Sequence, residues 1–143
     1  MKGATYDTGM LIGIDRRKQR ALAVHEWLME EGLPVHVPWV VVAEFWRART
    51  DRREAILRTV DIEAPTIKLA KSVGEALGKV KEATLVDTVV MASAALRGDV
   101  VYTSDVDDLG RLQRHFPGVR VLGVLAARPL TSGTASAEAR RRR

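Results

Sequence analysis

Short apolar runs alternate with longer segments of helical periodicity along the whole chain. Strands and helices in alternation favour a mostly parallel sheet with helices on both faces, because parallel neighbours need a long crossover connection between them. The fold class predicted from this pattern is therefore α/β. The predicted strands cover 4–7, 34–37, 60–62, 100–103 and 119–124, and the predicted helices cover 16–31, 38–50, 51–59, 66–78, 85–96 and 107–115.

Length and charge predict one folded domain followed by a basic tail. A chain of 143 residues can bury a substantial core, and no repeat or linker divides it before Pro129. We therefore predict one domain over 1–127 and a disordered tail over 128–143. The net charge of +5 lies mostly in this tail, since its five arginines against Glu138 leave the rest of the chain at +1. The tail could bind phosphate weakly or serve only as a solubilising end.

Several functional classes are disfavoured by composition. The chain contains no cysteine, which excludes a disulfide framework and a thiolate metal site. The first residues lack the apolar stretch of a signal peptide, and no apolar run approaches the ~18 residues of a membrane-spanning helix. These features predict a protein of the reducing cytoplasm with no membrane partner.

Four acidic residues stand in apolar surroundings, where a solvated surface does not explain them. An ionised carboxylate is costly to bury without a partner and usually becomes neutral instead. Two of the four follow predicted strands, and the carboxyl ends of parallel strands gather functional groups at one edge of a sheet. The four residues are Asp7, Glu44, Asp87 and Asp105.

Each of these acids also has a local structural explanation. Asp7 could cap a following helix, and Glu44 could pair with the arginine three residues further on. Asp87 could itself be the cap of a helix that begins later than predicted. Asp105 and Asp108 could likewise be turn and cap residues. Both explanations remain open for each acid taken singly.

Taken together, the four acids favour a metal site. A parallel sheet can bring all of them to one edge, where a bound cation would remove the repulsion between their charges. Oxygen ligands without histidine or cysteine suit a hard cation, Mg²⁺ or Mn²⁺, rather than zinc. Phosphate commonly completes such a site, which points to chemistry on a phosphoryl group.

Four segments that contain these acids resemble the PIN-domain family, and in particular the VapC-type toxins of bacterial and archaeal toxin–antitoxin pairs. The resemblance covers residues 4–125 and implies a three-layer α/β/α fold with a mostly parallel central sheet. It also implies an Mg²⁺- or Mn²⁺-dependent endoribonuclease that leaves a 5′-phosphate and a 3′-hydroxyl. The segments are, in order, YDTGMLIGID, VVVAEFWRA, LVDTVVMASAAL and VVYTSDVDDL.

The resemblance assigns a role to each acid. Asp7 and Asp87 would bind the metal, which would lower the pKa of a bound water, and Asp105 would complete the metal shell. Glu44 would position or deprotonate the attacking water. Thr103 occupies the family's hydroxyl position two residues before the fourth acid, where it would orient a carboxylate or a water. Whether one metal ion or two take part is left open.

The family pattern has a further acid two or three residues after the fourth. Asp107 and Asp108 both satisfy this spacing. We favour Asp108 as an additional metal ligand, because Leu109 then occupies the apolar position that follows the acid in the family. Asp107 is then expected only to begin the next helix.

Basic residues follow the first two segments, where RNA is expected to bind. Arg16 and Arg17 follow the first segment, and Arg47 and Arg49 follow the second. Contacts from these side chains to phosphate would position the substrate rather than specify its sequence. For any single arginine, an ordinary solvated helix face is the alternative. Lys18, Arg20, Arg52 and Arg53 belong to the same two basic runs.

The resemblance also implies protein partners. VapC-type toxins are inhibited by a cognate VapB-type antitoxin, whose C-terminal segment lies across the acidic groove. They commonly form homodimers. We therefore expect RNA as substrate, a VapB-type antitoxin as inhibitor and a second copy of the chain as partner.

Two other functions compete with the nuclease. A phosphoacceptor signalling domain also gathers aspartates at the edge of a parallel sheet, but it needs a lysine late in the chain, and the last lysine here is Lys81. The second alternative is a non-catalytic PIN-like module that binds RNA or an antitoxin without cutting.

Overall fold

The computed structural model describes residues 2–124, which form five strands and seven α-helices. The predicted tail over 128–143 lies outside the described residues. The strands are β1 (Ala4–Tyr6), β2 (Val35–Pro38), β3 (Asp61–Glu63), β4 (Val100–Thr103) and β5 (Val121–Gly123). The helices are α1 (Thr8–Asp15), α2 (Gln19–Glu30), α3 (Trp39–Phe45), α4 (Asp51–Leu57), α5 (Ile67–Lys79), α6 (Leu85–Arg97) and α7 (Gly110–His115).

All five strands are parallel, in the order β3-β2-β1-β4-β5. β1 lies at the centre, where Ala4 pairs with Val35 on one side and with Val100 on the other. Successive side chains of a strand point to opposite faces. Accordingly, Thr5 contacts α6 on one face, while Tyr6 contacts α2 on the other. The fold is therefore α/β with helices on both faces of the sheet, as predicted.

Helix α1 was not predicted. The Thr8–Gly9 pair predicts a turn after the first strand, and the sequence places the first helix over 16–31. In the structure α1 covers Thr8–Asp15 and a separate helix, α2, begins at Gln19. Asp7 starts α1, because its side chain accepts a hydrogen bond from a backbone amide of the first turn.

Two other helix predictions need correction. The helix predicted over 38–50 ends at Phe45 and continues as a single 3₁₀ turn, Trp46–Ala48. The helix predicted over 107–115 begins with a 3₁₀ turn, Asp107–Leu109, and becomes α7 at Gly110. The remaining predicted elements are present, with ends that differ by a few residues at most.

Helix α6 is the most buried helix, as its apolar sequence predicted. Every residue from Thr88 to Ala94 is buried, and the helix packs against β1, β2 and β4. It ends at Gly98, whose φ of 78° is the left-handed conformation that glycine adopts without strain. The first turn of α6, which contains Asp87, directly precedes this buried stretch.

A polar cluster lies between α6 and the sheet. Arg97 donates hydrogen bonds to Glu63 of β3, to Asp99 at the start of β4, to Thr5 of β1 and to Ser93 of α6. Asp99 is 5% exposed and also contacts His36 of β2, with 3.0 Å between Oδ2 and Nδ1. Hydrogen bonds therefore connect α6 directly to β1 and β3 and, through Asp99, to β2.

Within residues 2–124, no helix is long and apolar enough to cross a membrane.

Candidate metal centre at the carboxyl edge of the sheet

Asp7 is the buried centre of the site. It follows β1 directly, is 9% exposed, and uses both carboxylate oxygens. Its Oδ1 accepts a hydrogen bond from the amide of Met10 (2.9 Å), and its Oδ2 accepts one from the hydroxyl of Thr103. The helix cap that was one of the two open explanations for Asp7 is therefore present, and the second carboxylate oxygen is hydrogen-bonded to the end of β4. Thr103 orients a carboxylate, one of the two roles that the resemblance implied.

Burial raises the pKa of Asp7 to about 6, because the charged form loses its hydration. The hydrogen bonds from Thr103 and Met10 lower the pKa. The negative charges of Asp87 and Asp108 raise it further. Near neutral pH Asp7 is thus a carboxylate held in an unfavourable environment, which a nearby cation would relieve.

Asp87 lies in the first turn of α6, and burial raises its pKa as well. A hydrogen bond from Thr84 lowers this pKa, whereas the charges of Asp108, Glu44 and Asp105 raise it. The helix cap is Thr84, whose side chain accepts from the amide of Asp87 at 3.1 Å. The alternative that Asp87 itself caps the helix is therefore wrong.

Glu44 reaches the site from α3. Its Oε1 accepts a hydrogen bond from the hydroxyl of Thr8 (2.5 Å), the first residue of α1, and its charge acts on Asp87. The alternative pairing with Arg47 does not occur, since no ion pair of residues 2–124 joins the two. Glu44 is exposed.

The acids after β4 have different environments. Asp105 makes a turn, because its Oδ1 accepts a hydrogen bond from the amide of Asp107 at 3.1 Å. Its own amide donates to the hydroxyl of Thr103 at 3.0 Å. Asp108 is the residue of the Asp107–Asp108 pair whose charge raises the pKa of both Asp7 and Asp87. Asp107 begins the 3₁₀ turn, as expected.

A close contact that sequence reasoning missed lies beside Asp7. A Cβ atom at Gly9, in the first turn of α1, would lie 2.0 Å from the hydroxyl oxygen of Ser104 and 3.5 Å from Oδ1 of Asp7. Glycine therefore lets the end of β4 approach the start of α1. The Thr8–Gly9 pair is a sequence signal for this region, but its partner lies 95 positions away, beyond the reach of local patterns.

The acids of the site form a donor set without positive partners. None of the ion pairs between residues 2 and 124 includes any of them. In the side-chain arrangement of the described residues, no three His, Cys, Asp or Glu side chains gather tightly enough to hold a metal ion alone. Mg²⁺ is commonly bound through only one or two carboxylates, with waters and substrate phosphate as the other ligands. The donor chemistry therefore fits such a cation. The acids are Asp7, Glu44, Asp87, Asp105 and Asp108.

The arginines predicted to bind RNA are spread over several elements. Arg16 and Arg17 follow the C-terminal end of α1, a helix of 8 residues, and are therefore about 12 Å of helix length from Asp7. Arg47 lies in the 3₁₀ turn after α3, and Arg49 precedes α4. Their role in RNA binding stays a prediction.

Two further members of the basic runs have structural contacts instead. Arg52 donates to the carbonyl oxygens of Ile14 (2.9 Å) and Asp15 (3.0 Å) at the end of α1. Arg53 donates to the Asp15 carboxylate (2.9 Å) and to the carbonyl oxygen of Phe45 (2.6 Å) at the end of α3. Helix α4 thereby fastens together the two helices that carry Asp7 and Glu44.

Comparison with solved structures places this fold. A toxin–antitoxin complex from Klebsiella pneumoniae contains a chain with a TM-score of 0.67 at 19% identity, which covers 87% of this chain and 100% of that one. VapBC2 from Rickettsia felis, bound to a DNA fragment from its promoter, has a TM-score of 0.69 at 12% identity, and the match covers 84% of this chain and 97% of that one. FitAcB from Neisseria gonorrhoeae has a TM-score of 0.62 at 18% identity, and the match covers 84% of this chain and 96% of that one. No family model and no curated protein matches the sequence.

The chain therefore has a PIN-like α/β fold. More particularly, its all-parallel five-stranded sheet and flanking helices match the fold of the chains compared in these structures. At 12–19% identity the likeness is one of fold.

Proposed function

We propose that the protein is a metal-dependent endoribonuclease, the toxin of a VapBC-type toxin–antitoxin pair. The observation that carries the proposal is the environment of Asp7. This carboxylate is buried at the end of the central strand, has no cationic partner among residues 2–124, and lies in the field of Asp87 and Asp108. A charged group is seldom kept in such a place unless it serves a function.

In this proposal the acids divide between binding and proton transfer. Asp7 and Asp87 would bind Mg²⁺ or Mn²⁺ directly, and Asp105 and Asp108 would complete the site through waters bound to the cation. When bound, the cation supplies positive charge to the scissile phosphate and makes water more acidic. Thr103 keeps the Asp7 carboxylate in position through its hydrogen bond to Oδ2. Glu44, fixed by the Thr8 hydroxyl, orients the attacking water and accepts its proton.

The reaction is hydrolysis of an RNA phosphodiester. The water oxygen forms a bond to phosphorus, and the bond from phosphorus to the 3′ oxygen breaks. The proton of the water passes to Glu44, and the departing 3′ oxygen takes up a proton from solvent. The products are a 5′-phosphate and a 3′-hydroxyl.

Cleavage of a structured RNA by purified protein tests this function. We expect cleavage with Mg²⁺ or Mn²⁺ and none in EDTA. Asp7→Asn and Asp87→Asn should each lower the rate about 100-fold or more, because a catalytic metal supplies several kcal/mol of transition-state stabilisation. Asp61→Asn is the matched control, since Asp61 is an exposed carboxylate at the amino end of β3, whereas the proposed site is at the carboxyl ends of the strands. Wild-type activity in EDTA, or in both site variants, would overturn the proposal.

Metal binding can be measured separately from catalysis. A cation that binds the folded state at 100 times its Kd stabilises it by about 2.7 kcal/mol. We expect Mn²⁺ to raise the melting temperature of the wild type and of Asp61→Asn, but not that of Asp7→Asn. Equal shifts in all three proteins would show that the cation binds elsewhere. RNA binding without cleavage at any metal concentration would identify a non-catalytic PIN-like module instead.

We propose a VapB-type antitoxin as inhibitor and a second copy of the chain as partner. The support is the fold shared with toxin chains that were solved in antitoxin complexes. Expression of the chain alone should arrest growth, and co-expression of the small protein encoded next to its gene should relieve the arrest. Light scattering should give twice the monomer mass. Growth that Asp7→Asn arrests as strongly as the wild type would separate toxicity from the proposed site.

A further inference from the structure

We propose that a basic cleft beside the acidic site binds backbone phosphates of the RNA substrate; this inference rests on the proposed function. The cleft lies between the end of α5 and the face of α7 and has a volume of about 580 Å³. Four cations line it, together with a single carboxylate, Glu82. The four are Lys79, Lys81, Arg111 and Arg114.

The cleft adjoins the acidic site along two connections of the chain. Lys79 ends α5, and the short loop after it leads to the first turn of α6, which carries Asp87. On the other wall, Arg111 lies one turn beyond Asp108. The two walls touch where Arg111 Nη1 lies 2.6 Å from Glu82 Oε1. Both walls of the cleft are thus within a few residues of a site acid along the chain.

The positive charge of the cleft is largely uncompensated. Lys79, Lys81 and Arg114 form no ion pair with any residue between 2 and 124. Arg111 and Glu82 do pair, but their side chains are 59% and 77% exposed, so the pair is weak and easily exchanged for a phosphate contact. The fold thus keeps a basic surface and an acidic surface side by side without joining them.

A polyanion that brings its own cation is the ligand that suits both surfaces. The phosphate under attack shares its divalent cation with the acids, and the flanking phosphates contact the lysines and arginines. An acidic peptide would be attracted to the cleft but repelled by the adjoining carboxylates. RNA is therefore favoured over an acidic protein. Because these contacts are to phosphate, they position the strand without reading its sequence.

RNA binding measured without catalysis tests the cleft. The probe is a fluorescent single-stranded RNA, titrated in EDTA at several salt concentrations with fluorescence anisotropy as readout. The test variant is Lys81→Gln with Arg114→Gln. The control is Lys68→Gln with Lys71→Gln, which removes the same charge from exposed positions of α5 that do not line the cleft. We expect the test variant to bind RNA more weakly than the control. Each phosphate contact contributes ~0.7 to the steepness of the plot of log K against log salt concentration, so the loss of two contacts should make this slope shallower by about 1.4.

The outcomes separate this inference from the proposed function. Suppose that the wild type binds and cleaves RNA, and that the test variant has the same RNA affinity and the same salt slope as the control. The proposal that the cleft binds RNA is then wrong, whereas the proposed nuclease function is retained. If the test variant binds RNA with the affinity of the control but no longer binds a fluorescent poly-glutamate peptide that the control does bind, the cleft is a binding site for an acidic protein. If the wild type neither binds nor cleaves RNA, both proposals fail. Lys79→Gln repeats the test at an exposed position should the double variant unfold at assay temperature.

Discussion

Asp7 has two roles that draw on the same carboxylate. One oxygen caps α1 through the Met10 amide, and the other accepts from Thr103 across the end of the sheet. These bonds fix the orientation of the group, yet burial still raises its pKa to about 6. The fold therefore places an acid where ionisation costs stability, which is the arrangement expected of a group kept for function.

The stability of the metal-free protein should fall as pH rises because of Asp7. The folded state holds this proton up to about pH 6, whereas the unfolded chain releases it near the ordinary aspartate pKa of 3.8. The stabilisation is thus complete below the unfolded pKa and is lost as pH rises through the folded one. The difference is worth about 3 kcal/mol. Urea unfolding in EDTA from about pH 4 to about pH 8 should show wild type losing this much relative to Asp7→Asn.

Asp7→Asn is the reference for this measurement, since it keeps Asp87, whose pKa is also raised, and it can still accept from the Met10 amide. Any slope that both proteins share belongs to other groups. A constant difference in free energy of unfolding across the range would show that Asp7 does not titrate between these limits.

Position 9 should tolerate a side chain only if the side chain of Ser104 is removed. The Cβ of Gly9→Ala would lie 2.0 Å from the Ser104 hydroxyl oxygen and 3.0 Å from its Cβ. We expect Gly9→Ala to destabilise the protein by about 1–3 kcal/mol, as overpacking does, and to reduce RNA cleavage. The double variant Gly9→Ala, Ser104→Gly should recover most of both losses. Thermal unfolding and cleavage assays on the single and double variants measure the coupling; simple additivity of the two substitutions would contradict it.

Helix α4 acts as a fastener for the helices that carry the acids. Its Arg53 donates to Asp15 at the end of α1 and to the Phe45 carbonyl at the end of α3, and its guanidinium lies 4.4 Å from the centre of the Phe45 ring. Phe45 is the neighbour of Glu44 in sequence. The position of Glu44 therefore depends on a helix that contributes no acid of its own to the site.

Arg53→Ala should cost about 2–3 kcal/mol, because it leaves a half-buried carboxylate and a carbonyl without their donor. RNA cleavage should fall with it. Arg58→Ala is the control within the same region, since Arg58 forms an exposed ion pair with Glu54 that is worth about 0.5 kcal/mol or less. Chemical denaturation of the two variants gives the comparison, and equal losses would remove the special role of Arg53.

The elements could be predicted where pattern and burial agree. β4 has the predicted limits, and the apolar sequence of α6 correctly predicted a buried helix. α1 was missed because Thr8 and Gly9 are typical of a turn, although Asp7 was recognised as a possible helix cap. Local sequence shows the residue types of the site, but hydrogen bonds between residues 96 positions apart appear only once the chain is folded.

The polar cluster around Arg97 joins α6 to the half of the sheet formed by β1, β2 and β3. No local pattern predicted it, because Arg97 reaches Glu63, 34 positions away, and Thr5, 92 positions away. It brings a positive charge between two carboxylates under α6, and Asp99 is nearly inaccessible to water. The face of the sheet opposite α2 is thus joined by polar contacts as well as by apolar packing.

Arg97→Met should destabilise the protein by about 3 kcal/mol, because it leaves the carboxylates of Glu63 and Asp99 without the guanidinium that now pairs with them. Arg97→Lys keeps the charge but cannot reproduce the fork of hydrogen bonds, so we expect a smaller loss. Arg120→Met, at an exposed position that precedes β5, should change stability by less than about 0.5 kcal/mol. Urea midpoints for the three variants rank them; a wild-type midpoint for Arg97→Met would contradict the role of the cluster.

The central position of β1 has a consequence for how the protein folds during its synthesis on the ribosome. Ala4 is made first, but its partner Val100 follows 96 residues later, a delay of roughly 5–20 s at 5–20 residues per second of synthesis. Until then the middle of the sheet has one neighbour, and neither Thr103 nor Asp105 exists to meet Asp7. A nascent chain halted before β4 holds neither the sheet nor the site. If the protein cuts RNA, a ribosome carries it in a harmless form through most of its own translation.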